Sequence, residues 1–179
     1  MPEVQVENIV ISCPIAQRLD LVTLASALAH ASYKPEEMPV VMVKVDKPRS
    51  AVFLFASGLM MVTGVTSLAM AEEVVSLMIQ RLSLLGVPRL EDPELCLEHA
   101  VASLDFGSPL LLEEARKTLE TVSVEQGFPG LMVKSADPNT VIVLFDSGKM
   151  VADGPSVDAV TEALMKVSSD LKSGIQNGS

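Results

Sequence analysis

The sequence predicts an α+β fold made of two copies of one unit, and three observations predict it. The first is an internal duplication. Met38 to Gly64 reads MPVVMVKVDKPRSAVFLFASGLMMVTG, and ninety positions on, Phe128 to Gly154 reads FPGLMVKSADPNTVIVLFDSGKMVADG. Aligned without gaps, Pro39 meets Pro129, Met42-Val43-Lys44 meets Met132-Val133-Lys134, Pro48 meets Pro138, and Leu54-Phe55 meets Leu144-Phe145. Ser57-Gly58 meets Ser147-Gly148, Met60 meets Met150 and Gly64 meets Gly154. Each copy is therefore one structural unit. The second observation is that extended stretches are joined by tight Pro- and Gly-bearing turns, which makes neighbouring strands antiparallel. The third is that each copy carries two stretches with helical spacing of apolar residues, enough to cover one face of such a sheet.

Taken in order, residues 5–13 alternate as a strand, with Asn8, Val10 and Ser12 on one face. A helix is expected over Leu19 to His30, its first turn served by Asp20, and a connecting loop over Tyr33 to Pro39. Strands follow at 40–45, 51–56 and 60–63, with Lys47-Pro48-Arg49 and Ser57-Gly58 in the turns. A long amphipathic helix from Ser67 to Leu85 is ended by Gly86 and Pro88. The second unit repeats this order: a strand at 97–104, a helix at 111–122, strands near 131–135, 140–146 and 149–153, a helix at 157–171, and a tail from Ser173 that should fray. Each unit thus reads β-α-β-β-β-α, the first within residues 1–90 and the second within 91–179. Allowing a one-residue slip, Asn8-Ile9-Val10 faces His99-Ala100-Val101, and Ser12 faces Ser103.

Composition narrows the function. The 179 residues are 49% hydrophobic with a mean hydropathy of +0.40, yet no apolar run reaches the roughly 18 residues of a membrane helix. No charged segment followed by an apolar one marks a signal peptide. Cys13 and Cys96 lack disulfide-framework or metal spacing and are expected to be buried reduced thiols, and His30 and His99 lack ligand company. No cofactor, no metal and no enzyme chemistry is expected, because no phosphate-cradling glycine loop and no nucleophile beside a base occurs. The SGK at 147–149 is a hairpin turn. The net charge of −10 disfavours general attraction to phosphate and leaves only a local basic strip.

The strands hold an anomaly. A sheet covered on one side should alternate apolar with polar residues. Here Val52 and Leu54 oppose Ala51, Phe53 and Phe55, while Ile142 and Leu144 oppose Val141, Val143 and Phe145. Helices on one face leave the other as a wide apolar surface, which marks an interaction site. From the pattern alone it could equally be buried by a homodimer, roofed by a third layer, or filled by an apolar ligand.

Further motifs narrow this choice. FPGL at 128–131, DP at 137–138 and VLFDSGKMV at 143–151 resemble the second repeat of the TATA-box-binding protein family. ENIV at 7–10, RLDL at 18–21, KPR at 47–49, LFASG at 54–58 and TG at 63–64 resemble its first repeat. The likeness spans about residues 4 to 174 and is nearest the archaeal form. It implies a saddle: a curved antiparallel sheet with helices on the convex face, whose concave face lies in the minor groove of A·T-rich promoter DNA, with paired wedges unstacking base steps. By position the wedges are Phe55 with Met38 and Phe145 with Phe128. Asn8 takes the place of a central amide donor, with His99 as its counterpart, and Thr63 matches the family's threonine. Val10, Val101, Met61 and Val151 fall at groove-contacting apolar positions; Lys44, Arg49, Lys134 and Lys149 fall at phosphate positions. The partners implied are promoter DNA, a transcription factor B-like protein and the RNA polymerase machinery. The implied place is the cytoplasm at an archaeal nucleoid, or the nucleus in a eukaryote.

The chain also departs from the family pattern. His99 breaks the pair of amide donors, and Asp153 stands opposite Thr63 as an expected unpaired carboxylate facing acceptors. Thr66, Ser156, Leu59 and Asn139 replace basic residues, and Glu37 precedes the first wedge. Each lost phosphate contact removes about one unit from the salt slope. The expected activity is weak minor-groove binding in transcription initiation. The alternative is a paralogue impaired in DNA binding that uses the same saddle as a protein-interaction module. The loop Ser123 to Gly127 lacks the paired glutamates that hold transcription factor B in the family, so that partnership is not carried over by this loop.

Overall fold

The computed structural model describes residues 2–120, 122–123, 127–135 and 139–177. The chain forms two compact units, Asn8–Glu98, and Met1–Glu7 together with His99–Ser179. The first holds most of β1 (Val4–Pro14), then α1 (Leu21–Ala27), β2 (Ala31–Lys34), β3 (Met38–Asp46), β4 (Arg49–Phe55), β5 (Leu59–Val65) and α2 (Leu68–Leu84). Its strands lie in the order β2-β3-β4-β5-β1, each pairing antiparallel. The second holds most of β6 (Cys96–Asp105), then α3 (Leu112–Thr118), β7 (Val122–Ser123), β8 (Gly130–Lys134), β9 (Val141–Phe145), β10 (Lys149–Gly154) and α4 (Val157–Asn177). Its order is β6-β10-β9-β8-β7, again antiparallel.

The duplication read from the sequence is a duplication of register. Val52 faces Val62, Phe53 faces Met61 and Leu54 faces Met60. Ninety positions on, Ile142 faces Ala152, Val143 faces Val151 and Leu144 faces Met150. Met42 opposite Phe53 and Lys44 opposite Ala51 return as Met132 opposite Val143 and Lys134 opposite Val141. A slip of one residue in any strand would turn its apolar set to the wrong face, so matched spacing carries matched pairing.

Burial separates the two faces that apolarity alone did not. In β4 and β5, Val52, Leu54, Met60 and Val62 are wholly buried, while Ala51, Phe53, Phe55, Leu59, Met61 and Thr63 stay partly exposed. In β9 and β10, Ile142, Leu144, Met150 and Ala152 are buried, while Val141, Val143, Phe145 and Val151 stay partly exposed. The buried face is covered by helices: α2 packs on β5 through a stripe including Ala71, Val74, Val75, Met78 and Leu82, and α4 packs on β10. The other face is not roofed by a third layer of the described chain.

Two strands were not expected. Ala31–Lys34 and Val122–Ser123 form β2 and β7, each an edge strand with one neighbour in its own unit, so each unit reads β-α-β-β-β-β-α. The loop expected from Tyr33 to Pro39 is cut short at both ends, since Tyr33 and Lys34 close β2 and Met38 opens β3. Such short edge strands are held by backbone pairing to one neighbour and carry little pattern of their own. α1 and α3 are also shorter than their apolar spacing suggested, ending at Ala27 and Thr118. The expected fraying from Ser173 is also corrected, since α4 runs to Asn177. Gly174 explains the extension: a Cβ there would collide with Thr118 of α3, so its absence lets the two helices close on each other. Of the two cysteines, Cys13 is buried but Cys96 is exposed, at the start of β6.

The turns before β5 and β10 demand glycine. Gly58 has φ of 90° and Gly148 of 92°, and a Cβ at either would run into a backbone carbonyl, that of Ala16 or of Ser108. The Lys47-Pro48 peptide between β3 and β4 is cis. The expected role of Asp20 holds: its carboxylate accepts from the Thr23 amide at 3.2 Å and the Thr23 hydroxyl at 2.8 Å, which holds its carboxyl below the usual range. Ser67 caps α2 by accepting from the Met70 amide at 3.2 Å. Ser67→Ala is expected to lower stability by about 1 kcal/mol, read as a lower denaturant midpoint at constant slope.

Candidate functional site

Alternation along β1, β3, β4 and β5 brings Asn8, Val10, Met42, Lys44, Phe53, Phe55, Met61 and Thr63 to the open face of the first unit. Its wedge candidates sit at the β3–β4 end. Phe55 lies opposite Val40, and Met38, 51% exposed, is two residues before Val40. In the second unit Phe145 lies opposite Gly130, and Phe128, 37% exposed, is two residues before it. Gly130 matters for this arrangement. A Cβ there would stand 3.3 Å from Cε1 of Phe128 and 2.6 Å from the Leu144 carbonyl oxygen. The larger side chain, Phe128, thus sits over the residue without one, and the slimmer Met38 belongs to the copy with a valine. Sequence reasoning passed over Gly130, although the exchange of Val40 for glycine beside an exchange of Met38 for phenylalanine was its signal. It also left Phe53 and Val143 out of the site. Both share the open face, paired with Met61 and Val151.

The polar groups come in one pair per unit. In the first, the Gly64 amide donates to Asn8 Oδ1 at 2.7 Å, and Asn8 Nδ2 donates to Thr63 Oγ1 at 3.1 Å. The backbone donor fixes which way the amide points; one N–H goes to Thr63 Oγ1, whose hydroxyl lies 3.4 Å from Asn8 Oδ1, and the second N–H is left as a donor. In the second unit, His99 Nε2 lies 2.9 Å from Asp153 Oδ1. The expectation of an unpaired Asp153 is corrected by this contact. Their side chains are 40% and 57% exposed, so the pair meets solvent on the open face. Val101, opposite Asp153, and Val151, opposite Ser103, flank it.

Lys44, Arg49, Lys134 and Lys149 are all exposed, the last three at the ends of their strands and Lys44 two residues from the end of β3. Glu37 has a local counter-charge, Lys34 Nζ at 3.4 Å, in an exposed pair worth little. Ser156, one of the replaced basic positions, caps α4 by accepting from the Ala159 amide at 3.1 Å. The duplication extends to a further polar feature: Ser12 Oγ donates to Glu98, and Ser103 Oγ to Glu7. The thiols are not activated. Burial pushes Cys13 up, and the neighbouring Glu98 charge raises Cys96. Among the described residues no three His, Cys, Asp or Glu side chains gather as a metal site, and no helix is long and apolar enough to cross a membrane. Residues 124–126 of the loop before Phe128, and Asp137-Pro138, lie outside the described residues.

The comparisons bear on this geometry. The family model described as transcription factor TFIID, or TATA-binding protein, matches residues 3–85 and 94–173. A TATA-box-binding protein of Picrophilus torridus is 32% identical over 176 residues, covering 96% of this chain and 96% of that protein. One from Pyrococcus abyssi is 33% identical over 172 residues, covering 95% and 90%. The solved structure of Methanococcus jannaschii TBP superimposes with a TM-score of 0.86 at 32% identity, covering 96% of this chain and 99% of that one. The α+β saddle class expected from the sequence is the fold shared with that structure. With both repeats matched by the family model and relatives alike along nearly their whole length, the chain belongs to the transcription factor TFIID, or TATA-binding protein, family.

Proposed function

We infer that this chain is a transcription initiation factor that binds the minor groove of A·T-rich promoter DNA through the open faces of its two repeats, residues 1–90 and 91–179. One observation carries the reading: an exposed apolar sheet face with a wedge pair at the same register in each repeat. A protein that enters the minor groove needs an apolar surface to meet it and large side chains to part base steps. Phe55 with Met38 and Phe145 with Phe128 supply the wedges. Asn8 and Thr63 supply donors suited to the acceptors of A·T pairs, adenine N3 and thymine O2. Val10, Met61, Val101 and Val151 supply apolar contact beside them, with His99 in the second repeat's polar pair. Lys44, Arg49, Lys134 and Lys149 neutralise phosphates. The archaeal relatives favour action at a nucleoid; a transcription factor B-like protein and the RNA polymerase machinery are partners only the resemblance implies, and the loop Ser123 to Gly127 lacks the paired glutamates that would hold the former.

The test is the salt dependence of binding to an A·T-rich duplex. With four basic contacts at about 0.9 each, the logarithm of the binding constant should fall against that of salt with a slope of about −3 to −4. Lys134→Ala should reduce that slope by about one. Folded protein that shifts no duplex even at low salt would overturn the reading. The net charge of −10 favours a second one, a protein-interaction module or homodimer using the same face. Sedimentation as a dimer that DNA leaves unchanged is its expected sign.

A further inference from the structure

The two repeats place chemically opposite pairs at equivalent sites. Thr63 and Asp153 hold the same register against Ala51 and Val141. Asn8 and His99 reach them from β1 and β6. In the first repeat the amide oxygen of Asn8 accepts from the Gly64 amide at 2.7 Å and lies 3.4 Å from the Thr63 hydroxyl, while one N–H of its NH2 group goes to that hydroxyl at 3.1 Å. The second N–H of the amide is left as a donor. In the second repeat the carboxylate of Asp153 only accepts. Its Oδ1 lies 2.9 Å from His99 Nε2. The second oxygen of Asp153 stays on a side chain that is 57% exposed.

A carboxylate that only accepts is wrong for an A·T pair, whose minor-groove edge also carries only acceptors. A G·C pair adds one group to that groove, the guanine N2 amine, and it is a donor. Resting on the minor-groove reading above, we propose that the His99–Asp153 pair makes the second repeat a reader of a G·C base pair, with Asp153 accepting from guanine N2. The Asn8–Thr63 pair keeps the first repeat a reader of A·T. The mixed element so recognised has a polarity, which sets the direction of the two repeats on DNA beside the difference between Met38 and Phe128. His99 acts as a positioning residue: it holds one carboxylate oxygen so that the other points outward.

The experiment is a scan of single G·C replacements along an A·T-only duplex, with binding measured at fixed low salt. At least one replacement should tighten binding by roughly tenfold, the scale of one well-made base contact. The double exchange His99→Asn with Asp153→Thr copies the first repeat's pair into the second, on exposed strand positions that tolerate it. It should bind the A·T-only duplex more tightly than the parent and lose the gain from G·C. His99→Ala alone should shrink the G·C gain while Asp153 remains. If every G·C replacement weakens the parent while the A·T-only duplex is bound, the proposal is overturned and the minor-groove reading stands. If no duplex is bound by folded protein, both fall together.

Discussion

Leu144→Ala is expected to lower the stability of the protein by about 2 to 5 kcal/mol, the range for truncating a large aliphatic side chain in a closed core. Leu144 is wholly buried. It lies between Leu131 on β8 and Met150 on β10 on the helix-covered face. Neighbours held by strand pairing on both sides collapse only partly into the space left, so the lost transfer energy is joined by a cavity term. Chemical denaturation followed by circular dichroism measures it. A loss below about 1 kcal/mol would mean that this face is not the tightly packed one. Binding to an A·T-rich duplex, measured where the variant is still folded, should change little.

Phe145→Ala, one residue along the same strand, should do the reverse. Phe145 is partly exposed on the open face, so its removal opens no cavity, and the denaturation midpoint should hold. DNA binding should weaken by roughly ten- to a hundredfold, because stacking an aromatic ring on a base is worth about 1–3 kcal/mol. Bending of an end-labelled duplex, read by energy transfer, should fall too, since a wedge in a base step is what kinks the duplex. Weakened binding without reduced bending would assign Phe145 to contact only. Unchanged binding would remove it from the interface. Neighbouring residues with opposite phenotypes are what a strand with one closed and one open face requires.

Much of this was legible in the chain itself. The run from Ala51 to Phe55 and its copy from Val141 to Phe145 carried the strands, their pairing and the apolar character of both faces. Gly58 and Gly148 marked turns where a side chain would meet backbone. The edge strands were not legible, because ASYK at 31–34 is short, half polar and held by hydrogen bonds along one edge only. Nor was the end of α4, because the reason for Gly174 is Thr118, distant in sequence. The same holds for Asp153. As a letter in a sequence it is an isolated charge on an apolar strand; folded, it is half of a pair with His99.

By itself, then, the sequence determined the period, the repeat and the composition of each face. Those properties are local, because alternation is set by backbone geometry and is copied wherever the chain is copied. The tertiary structure alone decided which face the helices close, how Gly130 makes room for Phe128, and what chemistry His99 and Asp153 present together. These depend on residues brought together from distant strands, where packing and hydrogen-bond partners, rather than chain spacing, set the outcome.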